Sequence, residues 1–386
     1  MKDKRQLYFF CTKLPWPLDS GQNLRAFHLL KNFSIYFNLN LICISDDVSF
    51  SKEIQKRIKF KSIKVIKQNK LNMMIGIIFG FLCLRPIQVS RFTSLEMKKE
   101  VKKIKDMKGV FFFHLDRAAQ YGNLIKSNEK YLDMCDVSSK RYLQNFKNLD
   151  FFNYKKWVFL YEFYAAKISE NYYPKKFKKT FLHSEREVQE KNIFFKKNVF
   201  IQSTMGFSND IENNLWSKES KKIIFLGTLN YYPNLSGVVW FIENVLVNFE
   251  DYELHIVGSI DKKVKLNLEN NPQVICHGFV SNVESLDLRF SFGISPIFSA
   301  AGIQNKIVDY ISFGIPIIAT EESMQGFSKR VMKEVNIANS KNDWLKILGS
   351  QDNIKYNSSY LKKCIYEEHS WSTITHKIIK EIDDNH

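Results

Sequence analysis

Short apolar runs of β-forming residues alternate with helix-like stretches along all 386 residues. That alternation restricts the fold more than any other feature, because it is the pattern of parallel sheets built from βαβ units. In the first half the runs are Leu7 to Cys11, Leu39 to Ile44, Ile63 to Ile66, Val110 to His114, Tyr131 to Asp136 and Thr180 to His183. In the second half they are Ile223 to Gly227, Leu254 to Gly258, Val274 to His277, Phe292 to Pro296 and Ile315 to Thr320. Runs as continuously apolar as Ile223-Ile224-Phe225-Leu226 imply strands buried on both faces, as in doubly wound sheets. A chain of this length, 45% hydrophobic, fills two ordinary domains more readily than one. The strand-like exit and glycine turn of Val199 to Phe207 is the expected linker. The fold class read from this is α/β, two Rossmann-like doubly wound domains facing across a cleft, with ligands expected at the carboxyl ends of the strands.

Charge divides the chain in the same place. Residues 1–200 hold 39 Lys and Arg against 18 Asp and Glu, a net +21, whereas the remainder holds 18 against 22, a net −4. A basic half beside a near-neutral one points to an anionic partner such as phospholipid head groups, a lipid diphosphate or nucleic acid, or else to plain solvated lysine faces. Within the basic half, Met73 to Leu84 is a dozen apolar or glycine residues closed by Arg85-Pro86. It falls short of the roughly 20 residues of a membrane span, so it is either a core helix or an interfacial one laid on anionic lipid, flanked by Lys67, Lys70, Arg85 and Arg91. Six cysteines without any C-x-x-C pair suit reduced thiols of a cytosolic protein rather than disulfides or a zinc site. The apolar stretch after Met1 to Arg5 reads as a first strand, too short for a signal peptide.

Three stretches carry groups capable of chemistry. After the first strand, Leu14 to Arg25 is a Pro/Gly loop that opens a helix near Gln22; Gly21 permits close backbone approach and the helix N-terminus favours an anion, while Ser20 or Asp19 serves equally as a cap. Val110 to Arg117 places His114, Asp116 and Arg117 at the end of a very apolar strand. There His114 and Asp116 are candidates to orient or deprotonate an acceptor hydroxyl and Arg117 to hold an anion, although a strand-end histidine also serves structure alone. Asp133 and Asp136 bracket the next strand and are candidates to fix Arg117 or to serve the acceptor, while Asp136 and Ser138 serve equally to cap the following helix. The richest stretch is Ser295 to Thr320, in which a strand ends at Pro296, a small-residue loop carries Gly302, and a helix begins near Ile303. Its free N–H groups suit a diphosphate, with Lys306 one turn in to neutralise it and Asp309 a further turn along to accept ribose hydroxyls.

These residues resemble glycosyltransferase family 4, and more closely its exopolysaccharide sugar transferase branch, whose signature matches Gly302-Ile303-Gln304-Asn305-Lys306. Asp309 stands at the second acidic position of the family's donor motif and Ala301 at the first. Further matches are Pro17 to Gly21 with Arg25, His114 to Tyr121, Asp133 to Tyr142, Gly227-Thr228-Leu229 with Tyr232-Pro233-Asn234, and His369-Ser370-Trp371. The resemblance implies a GT-B fold: an acceptor-side domain over 1–200, a nucleotide-sugar domain over 207–365, and a last helix over 366–386 that crosses back to the first domain. It implies transfer of a hexose-type sugar from a nucleotide-sugar to a glycan or lipid-linked acceptor, with retention of configuration and no metal or other cofactor, at the inner face of a bacterial membrane. Where many members grip the diphosphate with Arg and Lys, this chain has Thr228 and Asn234, which transfers that charge to Lys306 and to the Gly302 backbone. The chain lacks an Asp-x-Asp metal motif, and no zinc finger, homeodomain-like or RRM signature supports nucleic acid as a partner. The competing readings are an inactive scaffold of the same fold and a nucleotide-sugar epimerase.

Overall fold

The structure is a computed structural model that describes all residues except 1–3, 19, 46–49, 148, 150, 198, 204–205, 207–213, 281, 299–302, 351–353 and 384–386. The chain divides into two compact units, Met1–Thr204 with Ile374–His386, and Met205–Thr373.

The first unit is built on a seven-stranded sheet. Its strands are β1 (Gln6–Cys11), β2 (Asn38–Ile44), β3 (Ser62–Ile66), β4 (Val110–His114), β5 (Lys130–Cys135), β6 (Lys179–Leu182) and β7 (Phe200–Gln202), ordered β3-β2-β1-β4-β5-β6-β7. Every pairing is parallel. The aromatic runs of β1 and β4 explain why these two strands adjoin: Tyr8 stacks on Phe111, Phe9 on Phe112 and Phe10 on Phe113 at 5.2, 5.4 and 4.3 Å between ring centroids. Alternate residues then feed opposite cores, Phe9 and Phe112 one, Phe10 and Phe113 the other, as expected of a sheet covered on both faces. The final helix, Trp371–Asp383, sends Ile374, Ile378, Ile379 and Ile382 into the first of these cores, an apolar stripe at helical spacing. Phe200–Gln202, read from sequence as part of the exit to the linker, pairs with β6 as the seventh strand.

The second unit holds six parallel strands: β8 (Lys222–Leu226), β9 (Glu253–Val257), β10 (Val274–Gly278), β11 (Phe292–Ser295), β12 (Ile317–Ala319) and β13 (Asn336–Ile337). Their order is β10-β9-β8-β11-β12-β13. β12 begins only after Pro316, which has no N–H to give to a ladder. Both sheets therefore reverse direction of winding once, between β1 and β4 and between β8 and β11. In open α/β sheets such a reversal opens a crevice at the strand carboxyl ends. Among the described residues no helix is long and apolar enough to cross a membrane.

Candidate functional sites at the two strand reversals

At the first reversal the carboxyl ends of β1 and β4 frame a small open pocket. β1 and the loop after it contribute Cys11, Thr12 and Lys13; β4 and its continuation contribute His114, Leu115 and Arg117; the helix Gly21–Tyr36 closes it with Gln22, Asn23 and Ala26. The Thr12 hydroxyl on this wall is buried and has no hydrogen-bond partner. Leu115 leaves the strand with φ 69°, a positive value that non-glycine residues adopt at a cost of order 1–3 kcal/mol. That turn brings Arg117 back to the wall after a strand end at His114.

His114 is held from behind. Its Nδ1 lies 2.8 Å from Asp133 Oδ2, so in the neutral tautomer Nδ1–H donates to Asp133 and Nε2 keeps its lone pair. The Gln22 carbonyl oxygen, 3.2 Å from Nε2, accepts a hydrogen bond once that nitrogen carries a proton. Asp133 is in turn gripped by Arg25, whose Nε donates to Oδ2 at 2.8 Å and whose second guanidinium nitrogen donates to Oδ1 at 2.7 Å and to Ser203 Oγ at 2.9 Å. Burial raises the pKa of Asp133, but the charge of Arg25 and the hydrogen bonds from His114 and Arg25 outweigh it and hold the carboxyl well below its usual range. His114, Asp133 and Cys135 form the one group among the described residues with metal-ligand spacing. The Arg25 fork already occupies both oxygens of Asp133, which is the wrong electrostatic neighbour for a cation.

The remaining first-domain candidates divide. Arg117 donates to the Gln22 side-chain oxygen and lies 5.1 Å over the Phe92 ring. Asp116, half-buried at the start of the short helix Asp116–Ala119, is not on the pocket wall; burial raises its pKa against the pull of Arg117. Ser20 caps the helix Gly21–Tyr36 by accepting from Asn23 N–H at 3.4 Å. Arg25 is fully buried beneath the pocket rather than on its surface. Neither bracketing acid serves Arg117: Asp133 pairs with Arg25 and His114, and Asp136 with His183 at 3.4 Å. Thr12, Gln22 and Asn23 were missed from sequence because none is ionisable; their place just after the first strand and at the following helix N-terminus was the available signal.

At the second reversal the backbone itself opens the site. Gly227, which follows β8, has φ 144°, and a Cβ there would meet Asn234 Nδ2 at 3.0 Å and Lys306 Cε at 3.5 Å. Asn234 donates through Nδ2 to the Thr228 carbonyl at 2.9 Å and accepts through Oδ1 from Lys306 Nζ at 3.2 Å. Lys306 also donates to Gln304 Oε1 at 3.0 Å and sits 5.2 Å over the Phe225 ring. Thr228 closes its own turn, donating to the Ser259 carbonyl and accepting from Asn230 N–H. The helix Asn305–Ser312 is pinned beneath by Tyr310, whose hydroxyl accepts from Leu226 N–H at 2.9 Å and donates to the Ile294 carbonyl at 3.0 Å. Its N-cap residue, Gln304, makes no side-chain cap and turns to Lys306 instead.

Lys306 is only 6% exposed. Burial lowers its amine to about 8 against the attraction of Asp309, and burial raises Asp309, one turn on, to about 6 against the attraction of Lys306. Ile303 is half-buried against Gly326, and Asn305 is the exposed first residue of the helix. Gly302 and Ala301 lie outside the described residues.

Residues 220–344 match the family described as Glycosyl transferases group 1. No curated protein sequence matches the chain. Among solved structures the chain is similar to Anabaena HepE in complex with UDP and glucose, with a TM-score of 0.65 at 10% identity over 98% of this chain and 100% of that one. It is similar to a mutant of S. aureus TarM in complex with fondaparinux, α-GlcNAc-glycerol and UDP, with a TM-score of 0.64 at 10% identity over 98% and 100%. A glycosyltransferase from Rickettsia africae aligns with a TM-score of 0.59 at 14% identity over the whole of both chains. The fold is thus GT-B, and residues 220–344 form a glycosyltransferase group 1 domain.

Proposed function

We propose that this enzyme transfers a hexose-type sugar from a nucleotide-sugar held by its second domain to a hydroxyl of a glycan or lipid-linked acceptor held by the first-domain pocket, as a step in surface or exopolysaccharide synthesis. The observation that carries the reading is Lys306: a cation buried among the neutral oxygens of Asn234 and Gln304, beside a glycine turn, at a strand reversal. A buried ammonium whose hydrogen-bond partners are all neutral is costly even with Asp309 one turn away, and an anionic ligand lowers that cost.

In the proposed transfer the bond from the anomeric carbon to the diphosphate oxygen breaks, and negative charge grows on the leaving diphosphate. Lys306 and the N–H groups opening the helix Asn305–Ser312 stabilise that charge, and Asp309 takes the ribose hydroxyls. The acceptor oxygen forms the new bond and its proton passes to His114 Nε2. Asp133 holds the opposite ring N–H and the Gln22 carbonyl receives the new one. Asp133 and Arg25 are positioning residues in this scheme, Thr12 and Arg117 contact acceptor, and Asp116 acts only through its influence on Arg117. The transfer is read as retaining and metal-independent, with Lys306 supplying the positive charge for which other transferases recruit a divalent ion. The basic first domain faces an anionic membrane at the inner surface of a bacterial cell.

A thermal-shift panel of UDP, GDP, ADP, dTDP and CMP tests the donor site, with UDP first because the HepE and TarM structures carry it. A nucleotide at 100 times its Kd adds about 2.7 kcal/mol of apparent stability. The expected result is one strong binder whose effect is lost in Asp309→Ala and Lys306→Ala. Full sugar transfer by both variants would remove the assignment.

A further inference from the structure

The helix Lys70–Leu82 presents its residues the opposite way from a helix that meets water. Its buried positions are Gly76 and Gly80, while Leu71, Met74, Ile78, Phe79, Phe81 and Leu82 are exposed, Phe79 at 63% and Leu82 at 74%. Sterics fix this orientation. A Cβ at Gly76 would fall 2.5 Å from the Ser90 carbonyl oxygen and one at Gly80 1.9 Å from Ser90 Oγ, so only the glycine side of the helix fits against the turn Ile87–Ser90. The bulky side chains have only the outside left.

The neighbouring helix, Tyr154–Tyr172, extends the same face. Tyr161 stacks on Phe81 at 4.8 Å and donates to the Arg85 carbonyl at 2.9 Å, and Glu162 accepts from Ile87 N–H at 2.8 Å. Beside these contacts Trp157 and Val158 are exposed, and Phe151 packs edge-on against Trp157 at 5.3 Å. Residues 54–95 contain nine Lys and Arg and no Asp or Glu. The helix Tyr154–Tyr172 has two acids, Glu162 and Glu170, and both are buried. The surface offered is therefore apolar, rimmed by exposed Lys67, Lys70, Arg85, Lys155 and Lys167, with no exposed carboxylate on either helix.

We propose that the face formed by the helices Lys70–Leu82 and Tyr154–Tyr172 seats the first domain on an anionic lipid bilayer, apolar side chains among the acyl chains and lysines at the phosphates. A 13-residue helix is about 20 Å long, short of the roughly 30 Å hydrocarbon core, so it lies in the plane of the surface. A second copy is a poorer occupant, because pairing this face with itself opposes cation to cation. The inference rests on the reading of the first domain as the membrane-facing side and is independent of the donor chemistry.

The test is cosedimentation of the full chain with vesicles of equal parts phosphatidylglycerol and phosphatidylcholine, against vesicles of phosphatidylcholine alone. Wild type is expected to bind the anionic vesicles at least about tenfold more tightly than the neutral ones. The double variant Ile78→Glu/Phe79→Glu is expected to lose at least about tenfold in affinity, with an unchanged unfolding midpoint and unchanged donor binding. Lys67→Glu/Lys70→Glu, which leaves the apolar side chains in place, should weaken binding in the same direction. Anionic-vesicle binding that survives both double substitutions would overturn this face while leaving the membrane reading intact; no binding by wild type would overturn both. A wild-type dimer without lipid that the Ile78→Glu/Phe79→Glu change turns into a monomer would assign the face to a second copy and overturn the proposal.

Discussion

The two strand reversals in this chain each place a charge under a proposed ligand site, and they do so in opposite ways. Under the first, Arg25 and Asp133 are both fully buried and meet as a bidentate ion pair, with His114 and Ser203 taking up further hydrogen bonds. Under the second, Lys306 is buried with amide oxygens and an aromatic ring for company. The directions of the pKa shifts report the difference: Asp133 is held far into its ionised range, whereas burial drives Lys306 toward neutrality, to about 8. A completed network holds one geometry whether or not ligand is present. An uncompleted one stores a cost that an anion relieves, and the second domain, near neutral overall, concentrates that cost at one residue.

The same kind of substitution should therefore have different effects in the two places. Arg25→Met leaves Asp133 buried without its main counter-charge and is expected to cost about 3–5 kcal/mol of stability, more than any other single substitution in either site. Lys306→Met is expected to change stability by less than about 3 kcal/mol, because relief from burying a cation whose pKa is lowered offsets the attraction that Asp309 loses. Its cost falls on function, about 10²–10³ in kcat and loss of the nucleotide-induced thermal shift. Chemical denaturation of the two variants side by side checks both, and equal destabilisation would break the contrast. His114→Ala is expected to lower transfer by about 10²-fold or more with donor binding retained. Loss of donor binding in that variant would move His114 to the donor side.

What the sequence disclosed follows from how local each feature is. Strands such as Ile223 to Leu226 announce themselves because burial on both faces leaves no polar positions. β13, two residues beginning with Asn336, has no run to read, and β7 is short enough to pass for a linker. At the proposed donor site Lys306 and Asp309 lie on one helix turn, so spacing alone sets them near each other. The Arg25–Asp133 pair joins residues 108 positions apart, and no local pattern encodes it. Nor does composition say which way an apolar helix faces. Met73 to Leu84 suits a core as well as an interface until Ser90 meets Gly76 and Gly80 and turns the bulky side outward.

A smaller effect sharpens the contrast at the proposed donor site. With Asp309 near 6 and Lys306 near 8 in the free protein, both groups are ionised only between those values. Nucleotide affinity is expected to peak there and to fall about tenfold per pH unit at most on either flank. Above pH 8 binding should take up a proton, since a diphosphate favours the ammonium form. Calorimetric titration in buffers of different ionisation enthalpy reads that proton directly. A flat affinity from pH 5 to 9 would mean that Lys306 does not meet the diphosphate.

The smallest expected effect sets the two domains against each other in stability. In the first, Glu187 is buried, accepts from Val137 N–H at 3.4 Å, and is pushed up to about 7 by burial and then by the charge of Asp136. A raised carboxyl pKa means that the folded state keeps a proton the unfolded chain has released, so its contribution is full below the unfolded value of about 4.5 and is lost as pH rises through 7. In the second, His255 and His277 stack with their ring nitrogens 2.9 Å apart, and burial lowers both. A lowered histidine pKa works in the other sense: stability is present above 6.5 and is lost as pH falls below it. Asp309, raised to about 6, opposes the histidines below that value, so above about pH 6.5 the first domain should loosen as pH rises while the second does not. Glu187→Gln should remove most of the first slope and be more stable than wild type at pH 8 by roughly 1–3 kcal/mol. Hydrogen exchange resolved by peptide at about pH 6.5 and 8.0, corrected for the intrinsic rate, separates the two slopes. Parallel slopes would mean that these buried groups do not govern the pH response, whereas unequal slopes that Glu187→Gln flattens in the first domain alone would extend the contrast from the ligand sites to the domains that carry them.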